Sequence, residues 1–121
     1  MKSLLFVLIA TNFMFYSCEK SGYGPSIRGK LVHRSCASAV VQILDQSQKH
    51  LGQESWQMTP TSPVYHDVFV VSNHCSFGKY KIDVGDEFNF QLTKDPDDGC
   101  AVCALWDNPP TVQQRIVVVD K

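Results

Sequence analysis

Alternation of apolar and polar residues is the feature that most constrains how this chain can fold. Residues 87–93 read EFNFQLT, and residues 27–34 read IRGKLVHR with a similar two-residue period. This period is typical of a strand with one buried and one solvated face, because successive side chains of a strand point to opposite sides. We find no convincing amphipathic helix in the chain, so we expect a fold built mainly from strands.

Other apolar segments complete the set of candidate strands, namely residues 39–44, 64–72, 100–106 and 113–119. Turn-forming sequences separate several of them: VGD at 84–86, DPDDG at 95–99 and NPP at 108–110. The connection over residues 46–63 is long and polar, with room for one short helix near residues 48–56. About six short strands separated by turns predict a single all-β domain over residues 27–121, either a sandwich or a small barrel.

The order of these elements favours the barrel. A long connection in mid-chain, followed by a Gly85-Asp86 turn into the alternating strand, resembles an OB-type barrel. An immunoglobulin-like sandwich is the alternative. In either case we expect disulfide bonds to strengthen the domain.

The N-terminal segment has the pattern of a removable signal peptide. Lys2 precedes an apolar run over residues 4–16, which is 13 residues long. A helix that spans a bilayer needs about 20 apolar residues, so the run is too short for that role. We predict a signal peptide over residues 1–17. Ordinary cleavage after Ser17 would place the bulky Phe15 three residues before the cut, where a small residue is preferred.

The end of the apolar run resembles the lipobox of bacterial lipoproteins. Residues 14–18 read MFYSC, so the small residue Ser17 directly precedes Cys18. The resemblance implies that Cys18 is lipidated and becomes the mature N-terminus. Residues 19–26 are polar and contain two glycines and a proline, so we predict residues 18–26 as the lipidated N-terminus and its tether. Phe15 and Tyr16 are bulkier than the family pattern. Glu19, which is not aspartate, implies sorting to the outer membrane of the cell envelope.

The number of cysteines agrees with lipidation. The chain has five cysteines, and lipidation of Cys18 leaves an even set for two disulfides. If residues 100–106 form a strand, Cys100 and Cys103 lie about 10 Å apart, beyond the ~7 Å that a disulfide tolerates. Each should therefore pair with Cys36 or Cys75. Two pairings remain open: 36–100 with 75–103, or 36–103 with 75–100.

An alternative interpretation of these cysteines is chemical rather than structural. Cys100 and Cys103 form a C-x-x-C motif, typical of thiol-disulfide exchange, and together with His74 and Cys75 they could bind zinc or copper. Exchange usually requires a helix after the first cysteine, and zinc requires thiolates, which oxidise outside the cell. We find no G-x-S-x-G or H-E-x-x-H motif, and we expect no catalytic residues, cofactor or metal.

Charge and aromatic residues indicate the kind of partner. The chain carries 11 basic and 12 acidic residues without a basic run, so a nucleic-acid partner is not expected. Exposed aromatic rings can bind sugars or peptides, and the candidates are Trp56, Tyr65, Tyr80 and Trp106, unless they pack in the core. The sequence thus predicts a non-enzymatic binding or accessory module, attached to a membrane by lipid, with a saccharide, peptide or envelope protein as partner.

Overall fold

The computed structural model describes residues 22–101 and 103–121. The predicted signal peptide, Cys18 and residues 18–21 of the predicted tether lie outside the described residues. None of the helices in these two ranges has the length and apolar character of a membrane span.

Seven strands account for most of the regular structure in the described part of the chain. They are β1 Tyr23–Arg34, β2 Ala39–Ile43, β3 Gln53–Trp56, β4 Tyr65–Val71, β5 Glu87–Leu92, β6 Gln113–Gln114 and β7 Ile116–Asp120. A short 3-10 helix, Gln46–Leu51, follows β2, and a single helical turn, α1 His74–Phe77, follows β4. The predicted all-β class is confirmed.

The strands form one sheet in the order β3-β4-β2-β1-β5-β7. Neighbours along this order are antiparallel, and β6 adds a short parallel pair with β4. Only Arg115 separates β6 from β7, so the end of the chain pairs first with β4 and then with β5. These ladders do not close the sheet, and the OB-type barrel therefore stays a prediction.

The main core lies on one face of the sheet, where the predicted alternation places its apolar side chains. Phe88 and Phe90 of β5 are fully buried, and the Phe69 ring meets Phe90 at 5.5 Å between centroids. Gly29 of β1 allows this packing, because a Cβ there would lie 2.8 Å from the Phe90 ring and 2.9 Å from Val41. A larger residue at position 29 would therefore separate β1 from the phenylalanine layer.

A smaller apolar cluster lies on the opposite face. Val40 and Val68 are its centre, and they alternate with core residues along β2 and β4. Trp56 of β3 is 6% exposed and packs on this cluster, beside Tyr65. The β3–β4 hairpin thus covers the outer face with aromatic side chains.

Three local predictions differ from the structure. The strand predicted over residues 100–106 is wrong, since its described residues have no regular structure. The region around residues 48–56 holds the 3-10 helix and then β3, rather than one helix. β1 begins at Tyr23, inside the predicted tether, because Tyr23 pairs with Leu92 of β5. The predicted turn at 84–86 is present, with Gly85 at φ 97° and its N–H donating to the Leu31 oxygen at 2.7 Å.

Candidate functional site

Two disulfides hold an irregular segment that we call the cross-linked loop, residues 94–101 and 103–112. Cys36 pairs with Cys103, and Cys75 pairs with Cys100, each with a Cα–Cα distance of 5.7 Å. This is one of the two pairings predicted from the sequence. Cys36 lies in the β1–β2 turn and Cys75 in α1, so the two bridges attach the loop to separate parts of the fold.

The disulfides also explain why residues 100–106 are not a strand. Cys100 and Cys103 are drawn toward different elements, so the segment crosses between them instead of following one ladder. The prediction that Cys100 and Cys103 have separate partners is confirmed. It was derived, however, from the strand over residues 100–106, which is wrong.

The disulfide pairing also bears on the alternative prediction that these cysteines exchange disulfides or bind a metal. A C-x-x-C exchange site acts through a reversible bond between its own two cysteines, whereas here each has another partner. The sulfurs of Cys75, Cys100 and Cys103 are all in disulfides, which removes the thiolates that a zinc site with His74 would need. Within residues 22–101 and 103–121, no cluster of His, Cys, Asp and Glu side chains is placed to hold a metal ion.

The Asp107 carboxylate is the polar centre of the loop. Its Oδ2 accepts hydrogen bonds from the hydroxyls of Ser35 at 2.6 Å and Ser38 at 2.7 Å, and lies 2.8 Å from His33 Nε2. Burial of the Asp107 carboxyl raises its pKa, but the bonds from Ser35, His33 and Ser38 outweigh burial and lower the pKa to about 2. The carboxylate therefore stays charged and joins the loop to the end of β1 and the β1–β2 turn.

This group contains the residue types of a serine hydrolase but not the arrangement. In a catalytic triad the serine hydroxyl bonds to histidine, which removes its proton, and the aspartate orients the histidine from the other side. Here Ser35 and Ser38 donate directly to Asp107, so the carboxylate occupies the centre. Such an arrangement fixes a loop and does not activate a nucleophile.

Trp56 provides a fourth attachment of the loop. Its indole Nε1 donates to the Asn108 oxygen at 2.9 Å, and Asn108 Nδ2 donates to the Met58 oxygen at 3.1 Å. Asn108 has φ 50°, a left-handed conformation that asparagine tolerates better than most residues. The loop is therefore fixed to β3 as well as to β1.

At its other end, the loop is attached to α1. Asp97 accepts the Ser76 N–H at 2.8 Å, and Asp98 accepts the Ser76 hydroxyl at 3.1 Å. Burial raises the pKa of Asp97, while bonds from the Ser76 and Cys75 backbone and the Ser76 hydroxyl lower it below its ordinary value overall. Lys79 Nζ lies 2.9 Å from Asp98. Polar contacts thus surround the Cys75–Cys100 bridge.

Between these attachments lies a cavity of about 420 Å³, bounded by the cross-linked loop, the end of β4 and β6. Its rim carries two large apolar side chains, Leu105 and Trp106, which are 55% and 78% exposed. His74 and Gln113 also line it. The His74 Nδ1 atom is buried and has no hydrogen-bond partner among the described residues. Buried polar atoms are usually paired, so this unpaired nitrogen beside the cavity is an exception to that rule.

The aromatic residues selected from the sequence lie in three places. Trp56 and Tyr65 stack together, 6.2 Å between ring centroids, and line a hollow of about 90 Å³. Tyr80 packs partly against the main core and lines a separate groove. Trp106 alone of the four lines the larger cavity.

Sequence reasoning missed the residues that hold the loop. Asp107 is separated from its partners by 69 to 74 positions, and no local pattern connects residues so far apart. Leu105 and Gln113 also passed unnoticed, because each resembles any other strand residue in sequence.

Comparison with known proteins adds no relative. Neither the family models, nor the curated proteins, nor the solved structures yield a match to this chain.

Proposed function

We propose that this protein is a lipid-anchored, non-enzymatic binding module of the bacterial cell envelope, and that its ligand occupies the cavity beside the cross-linked loop. The observation that carries the proposal is Trp106, which is 78% exposed on a segment fixed by two disulfides and by Asp107. A loop already ordered before binding loses less entropy when a ligand arrives. An exposed tryptophan on such a loop favours recognition over packing.

The chemistry of the cavity favours a saccharide. Trp106 offers a flat apolar face, which suits the apolar face of a sugar ring. His74 and Gln113 offer donors and acceptors to hydroxyl groups, which can act as either. The volume of about 420 Å³ lies within the ~300–1,000 Å³ of ordinary ligand pockets.

The position of the cavity supports a ligand away from the anchoring membrane. The chain enters the domain at the start of β1, and the cavity lies beside the turn that follows β1. At about 3.3 Å per residue, the ends of β1 are up to about 36 Å apart. If Cys18 carries lipid, the domain entrance faces the membrane and the cavity opens at the distal end. Glu19 supports the outer membrane as the site of attachment.

Binding is tested with the full chain, expressed with its leader and purified in detergent. A panel of soluble oligosaccharides is titrated while the heat of binding is recorded by calorimetry, a readout that does not depend on the tryptophan being replaced. We expect a saturable change that Trp106→Ala abolishes without lowering the thermal midpoint. Val64→Ala is the matched control, because Val64 is 51% exposed and does not line the cavity. Equal binding by Trp106→Ala and the parent protein would refute this site.

The anchor is tested separately by mass spectrometry of protein from membranes. We expect a mature N-terminus at Cys18 that carries acyl chains, and a Cys18→Ser variant that is released from membranes. An unmodified N-terminus at any other position would contradict lipidation but leave the cavity proposal standing.

A further inference from the structure

The outer edge of β7 is only partly covered. β7 ends the strand order, so one of its edges pairs with β5 and the other faces away from the sheet. The Thr93 N–H donates to the Arg115 oxygen at 3.0 Å, which shows that Arg115 directs its peptide oxygen toward β5. Peptide groups alternate along an antiparallel strand, so those of Ile116 and Val118 face the outer edge.

At Ile116, the side chain of Asn73 takes the place of a neighbouring strand. Its Nδ2 donates to the Ile116 oxygen at 2.6 Å, and its Oδ1 accepts the Ile116 N–H at 3.0 Å. The two bonds give Ile116 the same donor and acceptor that a residue of a neighbouring strand would supply. Two residues further along, no corresponding partner meets the outward peptide groups of Val118 in the part of the chain that the structure describes. The edge is therefore closed at Ile116 and open at Val118.

A groove of about 370 Å³ runs along this open edge. Val118 and Val119 form one wall, and the segment from Tyr80 to Ile82 forms the other. Lys121 fixes the opposite wall, because its Nζ donates to the Lys81 oxygen at 3.0 Å and lies 3.2 Å from Asp86. Val119 is 49% exposed beside the groove. Apolar and aromatic side chains line most of the groove, Lys81, Asp120 and Lys121 are its charged residues, and unpaired strand backbone borders it.

We propose that this groove binds an extended peptide segment of a partner protein, which adds a strand beside Val118. The occupant must supply an N–H and a C=O at strand spacing, and a polypeptide meets that requirement. Its apolar side chains fill the hollow between Val118 and Tyr80. The site is separate from the Trp106 cavity and does not depend on the function proposed for it.

The probe is a library of acetylated, amidated hexapeptides in which Val, Ile or Tyr alternates with Thr. Binding to the full chain in detergent is followed by fluorescence anisotropy. We expect binding members, and N-methylation of their strand-facing amides should weaken binding about tenfold, equivalent to ~1.4 kcal/mol. Val118→Pro removes the outward N–H and should abolish binding with the fold intact, since an edge strand tolerates proline at such a position. Val117→Pro is the contrasting variant, because it breaks the ladder with β5 and should unfold the protein.

Hydrogen exchange provides an independent measurement on the unmodified protein. The Val118 amide should exchange faster than the Val117 amide, and the bound peptide should slow the exchange of Val118. This readout decides the matter if Val118→Pro fails to fold. The proposal is overturned if no library member binds at about 1 mM, the range of weak association, or if N-methylation leaves binding unchanged. Self-association through β7, detected by light scattering, would assign the edge to a second copy and equally overturn it.

Discussion

The phenylalanine core and the cross-linked loop are stabilised in different ways. In the core, Phe69, Phe88 and Phe90 are fully buried on regular strands, and many weak apolar contacts share the stabilisation. The loop has no regular structure over residues 94–101 and 103–110, and a few discrete bonds hold it. Order in this protein therefore does not require secondary structure, but each bond of the loop can be removed by one substitution.

The largest effect is expected in the core. Phe90→Ala removes a ring with no exposed surface and leaves a cavity next to Gly29, so the free energy of unfolding should fall by about 5 kcal/mol. Chemical denaturation measures this value. Val119→Ala, at a residue 49% exposed, is the control and should change stability by less than about 0.5 kcal/mol. Similar losses in both variants would contradict the assignment of the core.

The two disulfides should contribute unequally. Cys36 and Cys103 are 67 residues apart, whereas Cys75 and Cys100 are 25 apart. Chain entropy then gives about 4.4 kcal/mol for the longer closure and about 3.5 kcal/mol for the shorter one. Replacing both cysteines of a pair with alanine and measuring denaturation compares them. A larger loss from the shorter closure would show that native-state contacts, not chain entropy, govern the loop.

Asp107 should make the loop sensitive to acid. Its folded-state pKa of about 2 lies below the unfolded value of 3.8, so its stabilisation is present above about pH 4 and is lost as pH falls toward 2. The difference corresponds to about 2.4 kcal/mol at 1.36 kcal/mol per pKa unit. Thermal unfolding from pH 6 to pH 2 should therefore decline more steeply in the parent protein than in Asp107→Asn. Parallel pH profiles would exclude Asp107 as the polar centre of the loop.

The smallest expected effects on stability come from substitutions of the two tryptophans, and the two effects should differ. Trp56→Phe removes the bond to the Asn108 oxygen and should lower stability by about 1 kcal/mol. Trp106→Ala should change it by less than about 0.5 kcal/mol, because the ring is 78% exposed. Acrylamide quenching of the remaining tryptophan in each variant provides a check on exposure. Stronger quenching of Trp56 than of Trp106 would reverse the assignment.

The sheet was predictable where the pattern was local. Alternation placed β5 correctly, since burial of Phe88 and Phe90 follows from the two-residue period alone. β3 was missed because its four residues, QESW, carry no alternation and form a strand only by pairing with β4. The strand predicted at residues 100–106 was wrong. Apolar side chains there lie at the rim of a cavity, and the two disulfides override the local preference for a strand.

By itself, the sequence determined the all-β class and the main alternating strand. These follow from neighbours in the chain, where the geometry of a strand constrains which side chains share a face. Only the tertiary structure decided which pairing forms, brought Asp107 to Ser35 and Ser38, and left Trp106 exposed beside a cavity. Those outcomes depend on contacts between residues some 70 positions apart, whose closeness results from the packing of the whole sheet and leaves no trace in local composition.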